Sequence, residues 1–115
     1  MRSYSEAMAI RLPPAIQLYV EAENSGNPEL LGQCFAPDAV VHDEGRNYEG
    51  LAAIKGWKAE TKQKYNHSVE PLEIVTRDGN TVLRARLSGN FPGSPVVLSF
   101  TFGLQGGKIA SLRIG

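Results

Sequence analysis

The residues that could carry chemistry begin with two polar side chains set among apolar neighbours. Asp43 ends the short run Ala39–Asp43, and the alternation of a strand places it on the same side as Val41. A carboxylate inside an apolar pocket can transfer protons, whereas at a strand end it can instead cap the following turn. Tyr19 lies on an apolar helical stripe, where it would be a core side chain or one whose hydroxyl reaches a ligand.

Other reactive residue types do not combine into a site. His42, His67 and Asp43 are metal-ligating types, but adjacent strand residues point to opposite faces and cannot converge on one ion. The single cysteine, Cys34, lies on an apolar helical face and is expected to be a buried, unreactive thiol. No glycine-rich phosphate loop or Ser-His-Asp arrangement is visible. We therefore expect no metal and no cofactor.

The composition limits the number of domains, the classes of binding partner and the cellular compartment that are expected. The 115 residues suffice for one domain, 1–115 with a core at about 12–114, and leave no room for a second. Lys and Arg together number 12, as do Asp and Glu, so no overall field attracts nucleic acid or an anionic membrane. No apolar run approaches the length of a membrane span. A lone cysteine and the absence of an export signal favour a cytoplasmic location.

Three helices are predicted in the first half of the chain, each opened by a proline or a glycine. They begin at Pro14, Pro28 and Gly50. A short strand, Ala39–Asp43, separates the second helix from the third, and residues 44–47 are predicted to form the turn after it.

From residue 67 onward, apolar residues no longer recur at helical spacing but at every second position, which is typical of strands. The predicted strands are His67–Thr76, Thr81–Ser88, Val96–Gln105 and Lys108–Ile114. Pro71 indicates that the first of them is an edge strand or carries a bulge. The element order predicts an α+β domain in which three helices cover one face of a curved, mostly antiparallel sheet.

A sheet curved in this way leaves a cavity between its apolar face and the helices, where we expect a small hydrophobic ligand. Alternation and the aromatic face of the third helix predict the residues that line this pocket: Phe35, Trp57, Leu83, Leu98, Phe100, Phe102 and Leu112. The opposite face is partly polar but carries Val97 and Ile109. We expect that face to pair with a second copy of the chain in a homodimer.

Two segments, Phe35–Asp43 and Gly50–Trp57, resemble the NTF2-like superfamily, which includes the ketosteroid isomerases and the SnoaL-type polyketide cyclases. The element order and the final hairpin are similar as well, so the resemblance spans nearly the whole chain. It implies a cone-shaped fold around a ligand pocket. It also implies roles, because Asp43 falls at the general base of the isomerases and Tyr19 at their oxyanion-donating tyrosine.

The resemblance is incomplete at the site. Phe100 stands where the isomerases place a second, protonated acid, and Phe35 and Lys58 stand at their supporting tyrosines. Removing one of two oxyanion donors costs about 10²–10³ in rate. Two functions therefore stay open: a SnoaL-like domain that binds an apolar molecule without turnover, and a cofactor-free isomerase or cyclase acting on a carbonyl compound.

Overall fold

The computed structural model describes residues 10–115, so the first nine positions of the predicted domain lie outside the described residues. Within these described residues, three helices precede or interrupt the strands: α1 Pro14–Ser25, α2 Glu29–Cys34 and α3 Leu51–Tyr65. The six strands are β1 Phe35–Asp43, β2 Arg46–Glu49, β3 Ser68–Arg77, β4 Asn80–Ser88, β5 Val96–Gln105 and β6 Lys108–Ile114. No helix within this part of the chain is long and apolar enough to cross a membrane.

All six strands form one sheet in the order β2-β1-β6-β5-β4-β3. Only β1 and β6 run parallel, and every other neighbouring pair is antiparallel. The helices pack on one face of this sheet, where the buried apolar side chains collect. The predicted α+β class, with three helices on a mostly antiparallel sheet, is confirmed.

Strand β2 was not expected from the sequence, which predicted a turn over residues 44–47. The turn is shorter: only Glu44 and Gly45 make it, with φ of 52° and 76°. Two consecutive residues of positive φ form the tight turn that suits a hairpin, so the chain reverses at once and Arg46 pairs with Asp43. The register of this hairpin fixes Asp43 at the end of β1.

The alternation predicted for β4 and β5 places the expected side chains on the inner face. Leu83 lies opposite Phe100, and Ala85 lies opposite Leu98. Between them Arg84 and Arg86 face outward and are exposed. The inner face of the sheet is therefore apolar and the outer face is charged.

Ile109 departs from its predicted position on the outer face and is fully buried. The pairing of β5 with β6 shifts between Gly103 and Leu104, which leaves Ala110 as an extra residue on β6. A bulge of this kind inverts the alternation beyond it, so Ile109 turns into the core. Sequence periodicity alone does not mark such a shift.

Strand β3 carries both features that Pro71 indicated. It is an edge strand of the sheet, and its register with β4 shifts between Pro71 and Glu73. Near its start, the side chain of Asn24 on α1 pairs with the backbone of Val69: Nδ2 donates to the carbonyl at 3.1 Å, and Oδ1 accepts from the amide at 2.7 Å. This side-chain amide satisfies strand groups that no neighbouring strand reaches and fixes α1 to the sheet edge.

Candidate functional site

A cavity of about 270 Å³ lies between α3, the loop after β4 and the inner ends of β5 and β6. Its volume is close to the lower end of the range for small-molecule sites. The wall is mainly apolar. Its aliphatic and aromatic residues are Trp57, Tyr65, Leu87, Phe91, Val96, Leu98, Phe100 and Ile114. The polar residues of the wall are Glu23, Asp43, Glu44, Lys58, Thr61 and His67.

Three of the seven predicted lining residues, Trp57, Leu98 and Phe100, border this cavity. The other four, Phe35, Leu83, Phe102 and Leu112, are buried in the core instead. The ring of Tyr19 explains the difference, because it fills the space between α1 and the sheet. Its centroid lies 5.9 Å from that of Phe35 and 5.3 Å from that of Phe102. The space beneath α1 is therefore filled by side chains, and the cavity lies beside α3.

Asp43 borders the cavity at the end of β1 and is half-buried. Its Oδ2 accepts a hydrogen bond of 3.0 Å from Nε1 of Trp57 on α3. The indole, itself almost fully buried, thus orients the carboxylate from the opposite wall. A carboxylate has a second oxygen, so this contact leaves a proton-accepting position.

Tyr19 does not border the cavity, although the resemblance assigned it a role in ligand contact. It is fully buried, and its hydroxyl donates to the Glu23 carboxylate one helical turn away. Burial, followed by the charge and the hydrogen bond of Glu23, raises the pKa of Tyr19 well above its ordinary value. Tyr19 is therefore a neutral donor committed to Glu23 and is not free to bind a ligand oxygen.

Glu23 is the centre of a buried polar cluster, which we define as Tyr19, Glu23, Lys58 and His67. Glu23 Oε1 lies 2.7 Å from Nζ of Lys58 and 2.5 Å from Nε2 of His67. These residues come from α1, α3 and the segment before β3, and Glu23 is only 2% exposed. Glu23, Lys58 and His67 also border the cavity, so the cluster forms part of its wall.

The charge of Glu23 is maintained by its partners. Burial by itself would raise the pKa of this carboxyl, but the Lys58 charge and the hydrogen bond and charge of His67 lower it from 4.5 to about 2. Glu23 is therefore ionised at neutral pH. The cluster joins one carboxylate to one ammonium and an imidazole, an arrangement that a buried charge requires.

Two further contacts hold the cluster in place. Lys62 donates from Nζ to the carbonyl oxygens of Glu23 at 3.0 Å and His67 at 2.5 Å, which ties α1 to the start of β3. Gly89 lies so close to His67 that a Cβ there would be 2.8 Å from the Tyr65 carbonyl and 3.0 Å from the His67 Cα. A glycine is therefore required at this position for the chain to pass the backbone of Tyr65 and His67.

The remaining candidates from the sequence lie away from the cavity. The imidazole of His42 is bonded to Asn47 across the β1–β2 hairpin, so the two histidines have separate environments. Cys34 is fully buried, and burial raises the pKa of its thiol to about 12. The expected burial of the thiol is confirmed, and its raised pKa disfavours the thiolate, which is the nucleophilic form.

Sequence reasoning missed the polar cluster, although one signal marks it. Glu23 occupies the position expected for an apolar residue in the pattern Ile16, Tyr19, Val20 and Glu23. A charged residue on the buried stripe of a helix requires a partner of opposite charge. The signal indicates that a partner exists, but not that Lys58 and His67 supply it from elements 35 and 44 residues away in the chain.

Comparison with known structures places this architecture in context. A Sinorhizobium meliloti protein, SMa1630, described as a candidate polyketide cyclase, is 39% identical over 90% of this chain and 95% of its own, with a TM-score of 0.86. A Catenulispora acidiphila protein with a ketosteroid isomerase-like fold, solved with trimethylamine, is 24% identical over 91% and 86% of the two chains, with a TM-score of 0.79. A candidate isomerase of the SnoaL-like family from Agrobacterium tumefaciens is 20% identical over 88% and 92%, with a TM-score of 0.72.

The family assignment rests on both sequence and fold. A search of curated proteins gives no significant match. Residues 16–112 match the SnoaL-like domain, which is most of the chain and extends from within α1 to within β6. The NTF2-like architecture expected from the sequence is confirmed by the structural neighbours. The chain belongs to the SnoaL-like domain family.

Proposed function

We propose that the cavity binds a small, mainly apolar molecule that carries an oxygen-bearing polar group. The observation that supports this most directly is the composition of the wall, in which aliphatic and aromatic side chains surround a few polar ones. Pockets that combine a large apolar surface with few polar groups bind apolar ligands and orient them through those groups. Asp43 and Lys58 are the polar groups nearest Trp57: Asp43 bonds its indole N–H, and Lys58 Nζ lies 3.9 Å from the ring centroid.

The position of Lys58 narrows the class of ligand. An ammonium over an aromatic ring occupies the place where a cationic ligand would make its best contact. Because Lys58 fills that place on Trp57, an uncharged oxygen compound suits this cavity better than an amine such as the trimethylamine of the Catenulispora structure. Carbonyl compounds have the required acceptor.

Binding is tested with cyclohexanone, followed by chemical-shift perturbation in ¹⁵N-labelled protein. We expect saturable shifts at residues around the cavity, and none with trimethylammonium at the same concentration. Leu98→Trp fills the cavity and should weaken cyclohexanone binding at least tenfold. Leu104→Trp is the matched control, because Leu104 lies on the same strand but is exposed. Equal binding by both variants would contradict the proposal.

A second candidate function is proton transfer at the carbon next to a carbonyl group, with Asp43 as general base. The hydrogen bond from Trp57 supports it, because it orients a carboxylate that borders an apolar cavity. Enolisation also needs a group that stabilises the enolate oxygen. Lys58 takes that role in this proposal in place of Tyr19, whose hydroxyl is already bonded to Glu23.

Proton transfer is tested without knowing the natural substrate. In D₂O, the α-hydrogens of cyclohexanone exchange through the enolate, and NMR follows the loss of their signal. We expect the protein to accelerate this exchange and Asp43→Asn to abolish the acceleration while cyclohexanone still binds. Asp38→Asn serves as the control, since Asp38 is an exposed residue of the same strand. If cyclohexanone binds but its exchange is not accelerated, the protein is a binding domain and the proposal of proton transfer is contradicted.

The homodimer stays a prediction, and its support lies on the outer face of the sheet. Val97 is 43% exposed there, and Val75 is 37% exposed. A symmetric interface of ordinary size, about 1,200–2,000 Å² in total, would cover them. Light scattering should give twice the mass of one chain at high micromolar concentration, and Val97→Glu should halve it. A monomeric wild-type protein would contradict this prediction. The cytoplasmic location likewise stays a prediction.

A further inference from the structure

The face of α3 that borders the cavity has a hydroxyl group at its centre. Trp57, Thr61 and Tyr65 follow one another at intervals of four residues and all three border the cavity, so Thr61 lies between two aromatic neighbours. Thr61 is half-buried. Valine has the same shape without the hydroxyl group, so packing alone does not require a threonine at this position.

The hydrogen bond that Thr61 makes within the helix determines what its hydroxyl group can offer a ligand. Oγ1 donates to the carbonyl oxygen of Lys58, three residues earlier, at 3.1 Å. Threonine side chains in helices commonly bond back to the preceding turn in this way. A hydroxyl group has one hydrogen and two lone pairs, so once the hydrogen is engaged the oxygen remains as an acceptor.

Lys58 and Thr61 make opposite demands on a ligand. Both border the cavity, and side chains three residues apart lie on the same side of a helix, about 5–6 Å apart at their β-carbons. The Lys58 ammonium has only N–H donors, whereas Thr61 Oγ1 is left as an acceptor. A ketone oxygen therefore suits Lys58 but offers nothing to Thr61. A ligand that is complementary to both carries a carbonyl oxygen and, separately, an O–H group.

The apolar surroundings of Thr61 make this difference selective. A ligand that fills the cavity displaces water from its wall. Where a methyl or methylene group of the ligand covers Thr61, the hydroxyl oxygen loses its solvent partner and gains none, which weakens binding. Where an O–H group of the ligand meets the same oxygen, a hydrogen bond replaces the lost one.

We propose that Thr61 binds a hydroxyl group of the ligand, and that the ligand is a hydroxy ketone or hydroxy aldehyde whose carbonyl oxygen lies near Lys58. The proposal rests on the cavity being a ligand site, as proposed above, and deepens it by naming the chemical class. Thr61 determines specificity in this proposal and takes no part in making or breaking bonds.

The test compares 4-hydroxycyclohexanone with 4-methylcyclohexanone, which has a similar size but no O–H donor. Chemical-shift titration gives the affinity of each ligand for the wild-type protein and for Thr61→Val. Because valine keeps the shape and removes the acceptor, the ratio of hydroxy to methyl affinity should fall about fivefold in Thr61→Val. A purely structural role for Thr61 would weaken both ligands alike and leave the ratio unchanged. Thr76→Val is the matched control, because Thr76 is an exposed residue of β3.

A second measurement uses only the wild-type protein, in case the variant fails to fold. With 4-hydroxycyclohexanone bound, the proton on the hydroxyl-bearing carbon should show a nuclear Overhauser effect to the methyl group of Thr61. The methyl group of Thr76 lies on the exposed part of β3 and is the internal control, for which we expect no such effect.

The outcomes separate this proposal from the preceding one. If the affinity ratio is the same in Thr61→Val and the wild-type protein, the hydroxyl site is wrong, although binding of cyclohexanone still supports the cavity as a ligand site. A bound complex without the Overhauser effect to Thr61 overturns the hydroxyl site in the same way. If cyclohexanone and both of its derivatives fail to bind, both proposals are overturned.

Discussion

Two polar regions border the same cavity, and they are built in opposite ways. The Asp43–Trp57 pair lies at the end of β1, where the carboxylate is half-buried and bonded to one indole N–H. The polar cluster around Glu23 is fully enclosed, and three side chains contact its carboxylate. Removing Asp43 therefore leaves a partly solvated gap, whereas removing Glu23 leaves buried donors without an acceptor.

The difference indicates how far a carboxylate in this fold is free for chemistry. Glu23 is held by two cationic or hydrogen-bonding partners that keep its pKa near 2, so it is a poor base and serves to position its neighbours. Asp43 has a single hydrogen-bonding partner among the described residues and borders the cavity. Structural and functional roles thus divide between the two acids, and the following expectations test that division.

The largest expected effect is on stability. Glu23→Ala leaves the Lys58 ammonium buried without its counter-ion, which should lower the free energy of unfolding by about 3–5 kcal/mol. Asp43→Asn should cost less than about 1 kcal/mol, because its amide oxygen can still accept from Trp57. Urea denaturation of both variants measures the contrast. Equal losses would show that the two regions do not differ as described.

The next effect is the pH dependence of stability. Because the folded pKa of Glu23 is about 2 and its ordinary value is 4.5, the stabilisation is complete above about pH 4.5 and is lost as pH falls toward 2. The loss should be on the order of 3 kcal/mol over that interval. Glu23→Gln should flatten this part of the curve of unfolding free energy against pH, whereas Asp43→Asn should leave the curve unchanged. If the slope of stability against pH is unchanged in Glu23→Gln, other carboxyl groups cause the pH dependence.

A smaller effect is expected for the hydroxyl that completes the cluster. Tyr19→Phe keeps the ring that packs between α1 and the sheet but removes the donor to Glu23, at a cost of about 2 kcal/mol. Tyr48→Phe is the matched control, because the half-buried Tyr48 packs against Trp57 by its ring, 5.8 Å between centroids. Thermal denaturation compares the two. If Tyr19→Phe does not change the stability, Lys58 and His67 alone satisfy the hydrogen-bonding needs of the Glu23 carboxylate.

The smallest effect concerns an ion pair of the same length on the surface. Arg86 and Glu70 are 2.7 Å apart, as Lys58 and Glu23 are, but their side chains are 43% and 63% exposed. Arg86→Gln should change the free energy of unfolding by less than about 1 kcal/mol, and high salt should remove that change. A cost approaching that of Glu23→Ala would contradict burial as the cause of the difference.

Local signals in the sequence predicted most of the fold. The proline and glycine positions bounded the helices, and the alternation in β4 and β5 predicted which side chains face inward. The exceptions are short-range irregularities, namely the two-residue turn that creates β2 and the extra residue at Ala110 that turns Ile109 inward. The turn adds a strand that the sequence did not predict, and the extra residue shifts the register by one, for which composition carries no signal.

The sequence by itself determined the fold class, the inward direction of Asp43 and the apolar inner face of the sheet, because periodicity and turn residues act over a few positions. Only the tertiary structure decided which residues meet at the cavity. It placed Tyr19 in the core between α1 and the sheet and joined Glu23 to Lys58 and His67, residues from separate elements. The cause is physical: a buried charge requires a partner, but the packing of α1, α3 and β3 selects which one it finds.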